Sequence, residues 1–253
     1  MRYACISGAS SGIGEQFVKE LDHLGYHCIL IARREDRLVR INEQLKHKGI
    51  IICADLSKED ECFRVCELLK DYKIDIFINN AGLGHCFEHS SYDISYDINM
   101  INVNVRAMHI LLKYMLSHME HYNEGTIINV ASIAGLMDAG AYMSTYYASK
   151  SYVVSLTRGI QYELKKKNSS IYLGCLCPGP VKTEFDKVAG VEFSLKGISV
   201  QQCVSAALKG MKKKQDIIIP TFKLKTAMAL SRFVPRSLMM KIISENQRKK
   251  VYR

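Results

Sequence analysis

Short unbroken runs of apolar residues alternate along the chain with longer stretches whose apolar positions recur every three to four residues. The runs lie at 3–7, 27–32, 50–54, 74–78, 126–130, 171–176 and 216–219. A strand covered on both faces reads as a continuous apolar run, so each is predicted to be a buried strand. The stretches at 14–24, 58–71, 99–116, 145–166 and 201–212 carry helical spacing, as does a charged segment with Leu38, Ile41 and Leu45 on one side. Strand and helix in regular alternation require parallel crossovers. The pattern therefore predicts an α/β fold of Rossmann type: one doubly wound, seven-stranded parallel sheet with helices on both faces. Only four prolines occur, so no Pro-rich linker divides the chain. Residues 1–221 are expected to form one domain, with 222–253 an extension packed on it.

Composition changes that picture little. With 48% hydrophobic and 24% charged residues the chain has ordinary globular usage, which excludes a disordered or collagen-like protein. The formal net charge of +10 invites a nucleic-acid or membrane-surface partner. Its location argues against the first: residues 222–253 hold nine Lys/Arg against one acid, Glu245, leaving the rest close to neutral. In that tail Leu238, Met239, Ile242 and Ile243 stand opposite Lys241, Glu245 and Arg248. Such an amphipathic helix is expected to dock on the protein's own body or a second subunit. Contact with an anionic membrane surface is the alternative, and nucleic acid is not expected. Nine cysteines without a C-x-x-C pair read as free thiols of a reducing cytoplasm. The first strand starts so near the initiator Met that no signal peptide is expected. The pairs His85/His89 and His118/His121 have no cysteine cluster beside them, so they read as surface or pocket residues and no metal is expected.

The chemistry begins at Gly8-Ala9-Ser10-Ser11-Gly12-Ile13-Gly14, a glycine-rich turn between the first strand and the first helix. Glycines there let the backbone turn sharply and approach a pyrophosphate, whose charge sits at the helix N-terminus. After the second strand an acid would favour NAD(H) by accepting from a ribose hydroxyl, and arginine would favour NADP(H) by pairing with a 2′-phosphate. The chain has Arg33-Arg34, with Glu35 and Asp36 only afterwards; NADP(H) is expected ahead of NAD(H). Asn79-Asn80-Ala81-Gly82 ends the fourth run, Ser132 follows the fifth, and Tyr146 and Lys150 lie four apart on the next helix. That spacing puts phenol and ammonium on one face, where the cation would draw the phenol from its usual pKa of ~10 toward neutral pH.

Taken in order, these motifs resemble the short-chain dehydrogenase/reductase family over nearly the whole chain. Asp55 after the third strand, Asn104 in Val103-Asn104-Val105 and Pro178-Gly179-Pro180-Val181-Lys182-Thr183 belong to the same pattern. The resemblance implies an NAD(P)-dependent oxidoreductase acting on a carbonyl or alcohol, assembled as a homodimer or homotetramer. It implies that Tyr146 is the proton donor in reduction and that Ser132 binds the substrate oxygen. Lys150 would lower the Tyr146 pKa and hold the nicotinamide ribose, with Asn104 supporting it through a water. The cofactor cradle would comprise Gly8, Ser10, Ser11, Gly12, Ile13, Gly14, Arg33, Arg34, Tyr146 and Lys150. Asp55 would meet the adenine, Asn80 the adenine-side ribose and Thr183 the nicotinamide carboxamide, with Leu56, Ala81, Gly82, Pro178, Gly179 and Val181 also binding the cofactor. Within the family, residues 31–38 and the basic extension most resemble the subgroup described as DltE-like.

Two departures stand out. Ser7 replaces the threonine usual before the first glycine, and Ser132 and Tyr146 are 14 apart, one more than usual, with the extra residue expected at 138–141. Tyr147 has no lysine four residues on, so Tyr146 is retained. Specificity is expected from 83–96, 135–143 and 184–200, with Phe87, Leu136, Met137, Tyr142, Met143, Phe185 and Phe193 shaping an apolar pocket. The rival class is a binding protein that senses NADP(H) with little turnover.

Overall fold

The computed structural model describes residues 1–184, 197–231 and 233–251. Among them, the strands are β1 (Tyr3–Ser7), β2 (His27–Ala32), β3 (Ile50–Cys53), β4 (Ile74–Asn79), β5 (Thr126–Val130), β6 (Tyr172–Leu176) and β7 (Ile217–Ile218). They pair in parallel in the order β3-β2-β1-β4-β5-β6-β7. The order reverses between β1 and β4, and the cleft outside their carboxyl ends is where such sheets hold ligands. Alternate residues of each strand enter different layers. Cys5, Ile29, Phe77 and Ile127 face Leu69, Met115 and Val153, while Ile6, Leu30, Ile78 and Ile128 face Phe17, Leu38 and Val204. Both faces are therefore core, which is why the strands read as unbroken apolar runs.

The helices are α1 (Gly12–His23), α2 (Glu35–Glu43), α3 (Glu59–Leu69), α4 (Ile94–Ile101), α5 (Met108–Tyr122), α6 (Ser144–Lys166), α7 (Val200–Lys212), α8 (Phe222–Ser231) and α9 (Arg236–Val251). The helix expected at 99–116 is two helices, α4 and α5, joined by a wider π turn at Asn102–Ala107. Such turns aim a side chain that a regular helix would direct elsewhere; here they hold Asn104. From β4, Asn79 Nδ2 donates to the Met108 carbonyl at 2.9 Å.

The tail departs from its expected stripe. In α9 the inward positions are Met239, Ile243 and Gln247, spaced by four, whereas Leu238 and Ile242 are 50% and 45% exposed. The helix is rotated because Gln247 is drawn to Tyr147 and Ile243 into the cluster of Cys86, Ala134, Met143 and Tyr147. Helix α8 buries none of its residues. No described helix is long and apolar enough to cross a membrane.

Candidate active site

Strands β1 and β4 are tied at their carboxyl ends by Ser7. Its Oγ accepts from the backbone N–H groups of Asn80 and Ala81 at 2.9 and 3.0 Å. Asn80 Nδ2 returns hydrogen bonds to the carbonyls of Ser7 and Gly8. The three glycines of the turn are needed for different reasons. Gly8 has φ +67°, and a Cβ there would lie 2.8 Å from Asn80 Nδ2; Gly12 has φ +56°, and a Cβ would lie 3.1 Å from Thr183 Cγ2. A Cβ on Gly14 would run into the Gly8 carbonyl oxygen. Helix α1 starts at Gly12, so its positive end opens toward the cleft.

At the end of β2, Arg34 crosses over this turn. Its guanidinium donates to Ser10 Oγ at 3.2 Å, to Ser11 Oγ at 2.9 Å and to Glu184 at 3.1 Å. Arg37, on the first turn of α2, donates to both Glu184 oxygens at 2.8 and 2.6 Å. The two cations, Arg37 foremost, hold the Glu184 carboxyl below its ordinary range. Arg33 is exposed at the cavity edge. Arg37 and Glu184 were not singled out from the sequence; the signal for Arg37 was its i+3 position from Arg34 at a helix start, and Glu184 stood only as the first residue of the 184–200 segment. Across the cleft, Asp55 Oδ1 accepts from the N–H and hydroxyl of Ser57 at 3.1 and 2.8 Å, which turns the chain after β3.

The other end gathers the reactive groups. Ser132 follows β5, accepts from the Ala134 N–H at 3.1 Å, and is hydrogen-bonded to Tyr146. Tyr146 sits in the first turn of α6, and Lys150 Nζ lies 5.9 Å from its ring centroid. Burial pushes the Tyr146 phenol up to about 12, against the opposite pull of Ser132. Burial also brings Lys150 down to about 8. The expected lowering of the phenol by the ammonium is therefore not what this geometry gives. Lys150 donates to the Val130 carbonyl at 3.0 Å, and burial dominates at the phenol. A Cβ on Gly82 would lie 3.2 Å from Lys150 Nζ, a tight contact.

Asn104 stands behind the cavity wall. Its Nδ2 donates to the Leu83 carbonyl at 2.8 Å and Ser149 Oγ at 3.0 Å, and its Oδ1 accepts from the Leu83 N–H at 2.7 Å. The side chain fixes the Gly82–Leu83 backbone beside Lys150. Tyr147 turns the other way: its hydroxyl accepts from Gln247 at 3.0 Å, and its ring covers Gly140, where any Cβ would strike it. Nearby, Asp138 pairs with Arg236 at 3.1 Å.

These groups share one cavity of about 480 Å3. Every cofactor or catalytic residue expected from the sequence lines it except Gly14 and Asn104, which act from behind the wall. Met137 and Met143 line it, joined by Ile243 and Gln247 of α9, which the sequence reading had not placed in the site. Tyr142 packs beside them with φ 63°, Leu136 packs on the core beneath the sheet, and Phe87 stacks with His85. Phe185 and Phe193 lie outside the described residues. His85 is buried beside Asp97 at 3.2 Å, and burial lowers its pKa. Among the described residues no group of three or more His, Cys, Asp or Glu gathers to hold a metal. The glycine cradle that side chains would fill, with paired arginines at one end and a phenol beside a lysine at the other, fits a nicotinamide dinucleotide.

The comparisons agree with that geometry. An uncharacterized oxidoreductase of Staphylococcus saprophyticus is 36% identical over 186 residues, which cover 71% of this chain and 74% of that protein. The human protein named inactive hydroxysteroid dehydrogenase-like protein 1 is 31% identical over 189 residues, or 72% of this chain and 56% of its own. The chain thus spans little more than half the length of its hydroxysteroid dehydrogenase-like relatives. Among solved structures, a short-chain dehydrogenase from Sphingobium yanoikuyae in complex with NADPH superposes with a TM-score of 0.83 at 26% identity, covering 94% of this chain and 95% of that one. The family model described as short chain dehydrogenase matches residues 2–192, and the chain belongs to that family of NAD(P)-binding oxidoreductases.

Proposed function

We propose that the protein is an NADP(H)-dependent reductase of apolar ketones or aldehydes. The observation that carries this reading is one cavity with Arg33 and Arg34 at one end, Arg37 joined to it through Glu184, and the Ser132–Tyr146 pair beside Lys150 at the other. When bound, the cofactor supplies the hydride. The adenosine end would be held by Arg34, the Asp55–Leu56 wall and Asn80–Gly82, and the nicotinamide end by Lys150, Thr183 and the Pro178–Val181 segment. Ser132 holds the substrate oxygen, and Tyr146 gives it a proton. A phenol raised by burial keeps that proton at neutral pH and is still far more acidic than an alcohol, so it can act as the proton donor.

Met137, Met143, Ala134 and Ile243 make the substrate end apolar, with the Tyr147–Gln247 pair as its polar feature. In this reading residues 222–253 complete the substrate end of domain 1–221. The assembly is a homodimer or homotetramer in the cytoplasm, and the protein falls in the DltE-like subgroup. A sensor that binds NADP(H) without turnover is the second reading, favoured by the relative named inactive. The test is NADPH consumption with a panel of apolar ketones and aldehydes. Turnover lost in Tyr146→Phe, with NADPH binding retained, supports the reductase; NADPH binding without turnover on any carbonyl supports the sensor.

A further inference from the structure

Resting on the NADP(H) reading, we propose that Glu184 is a built-in counter-anion. Its carboxylate occupies the Arg34/Arg37 cradle and competes with the cofactor's 2′-phosphate, so that it limits the preference for NADP(H) over NAD(H). The arginine fork is already committed. Arg34 uses Nε and Nη2 on Ser10 and Ser11, which hold it over the glycine-rich turn, and gives Nη1 to Glu184. Arg37 gives its Nη1 to both oxygens of the same carboxylate. A phosphate monoester needs these N–H groups, and it carries about −1.5 to −2 charge at pH 7. It can reach them only by displacing Glu184 or by sharing the cradle with a like charge.

The carboxylate is not an incidental surface partner. It follows Thr183, whose methyl packs against Gly12, so the backbone delivers Glu184 across the cavity to the far side of the turn. Held in this way it acts at a high effective concentration. It is also displaceable: its side chain is 44% exposed and those of Arg34 and Arg37 are 41% and 37% exposed. Nearby Asp36 and Glu15 also act on Arg37, but neither bridges the two arginines. The 2′-hydroxyl of NAD(H) is neutral and has no need to displace the carboxylate. Glu184 therefore penalises one cofactor and spares the other.

The test is calorimetric binding to the wild type, Glu184→Gln and an Arg34→Ala/Arg37→Ala variant. The ligands are NADPH, NADH and two fragments, 2′,5′-ADP and 5′-AMP, which isolate the 2′-phosphate from the nicotinamide end. Glu184→Gln should tighten NADPH and 2′,5′-ADP by roughly three- to fivefold, as expected for exposed ion pairs, and should change NADH and 5′-AMP by less than about twofold. The gain should shrink in high salt. Unchanged or weaker NADPH and 2′,5′-ADP in Glu184→Gln would overturn the proposal, as would an equal gain for NADH. Failure of the underlying NADP(H) reading has a different signature: no preference for NADPH in the wild type, and no loss of NADPH or 2′,5′-ADP binding in the double arginine variant.

Discussion

The two ends of the cavity are built by different means. At the glycine-rich turn the wall is backbone: Gly8, Gly12 and Gly14 are fixed by strand ends, by positive φ and by carbonyls that admit no Cβ. At the substrate end the wall is side chain. Met143 and Tyr147, at the start of α6, meet Ile243 from α9, and the Tyr147–Gln247 hydrogen bond spans 100 residues. A backbone wall tolerates almost no substitution and suits a ligand of constant shape. A side-chain wall can be recut residue by residue while the fold persists, as a specificity pocket requires. Ser132, Tyr146 and Lys150 lie at the junction of the two.

If that division is right, the junction can be disabled without disturbing the dinucleotide end. Tyr146→Phe should lower reductive turnover by about 10² to 10⁴, the span of general acid catalysis, and leave the NADPH dissociation constant within a few-fold. Stopped-flow turnover with parallel NADPH titration measures both. An equal loss of the two would mean that Tyr146 is part of the cofactor wall, and the comparison would break there. The next effect belongs to the other end. Arg34→Ala should weaken NADPH by about 1.5–3 kcal/mol, the worth of a charge-assisted hydrogen bond, and should scarcely move NADH. Arg33→Ala, on an exposed side chain, should do less.

The dinucleotide end was also the more legible in the sequence, for a physical reason. The turn at 8–14, Asn79–Gly82 and the Tyr146/Lys150 pair each carry their signature in residues close together in the chain, and such short-range order survives as spacing. The strands were legible because both faces are core. What could not be read was long-range or electrostatic. The π turn at 102–107 carries no special residue, yet it aims Asn104 at the Leu83 backbone. Glu184 meets Arg34 across 150 residues. The rotation of α9 depends on where Tyr147 presents its hydroxyl, so the tail pattern alone put Leu238 and Ile242 on the wrong face. The Tyr146 pKa went the other way from its spacing argument because burial, which spacing does not encode, dominates at this phenol.

The substrate end can be tested through α9. Ile243 is 6% exposed and packs on Tyr147 and Met143. Ile243→Ala should cost about 2 kcal/mol of stability, at the low end for a buried isoleucine because the cluster is small and peripheral. It should also change KM for bulky carbonyls several-fold with NADPH binding unaltered. Urea unfolding and steady-state kinetics check the two halves, and an equivalent shift in NADPH binding would show that the ends are not independent.

The smallest effect separates the ends by titration. Lys150 lies near 8 because burial disfavours its charge, so its ammonium is present below that pH and lost above it. Tyr146 near 12 stays protonated throughout. The ammonium would stabilise the phenolate left on Tyr146 once its proton is given, so reductive kcat should be about fourfold lower at pH 8.5 than at pH 6.5, following the protonated fraction of a group with pKa near 8. Binding of 2′,5′-ADP should stay flat over the same range, since arginines do not titrate there. Lys150 also predicts the sign of a stability change. Between about 8 and its unfolded value of ~10.4 the unfolded chain binds more protons than the folded one, so this group adds stability as pH rises. The buried thiols of Cys28, Cys66 and Cys203, each pushed up to about 12, do the reverse above their ordinary ~8.5, because the folded chain keeps protons that the unfolded chain has released. With several thiols against one lysine, the net stability should fall above pH 8.5 and fall more steeply in Lys150→Met. A fall in kcat that tracked this unfolding, rather than preceding it, would remove Lys150 as the titrating group.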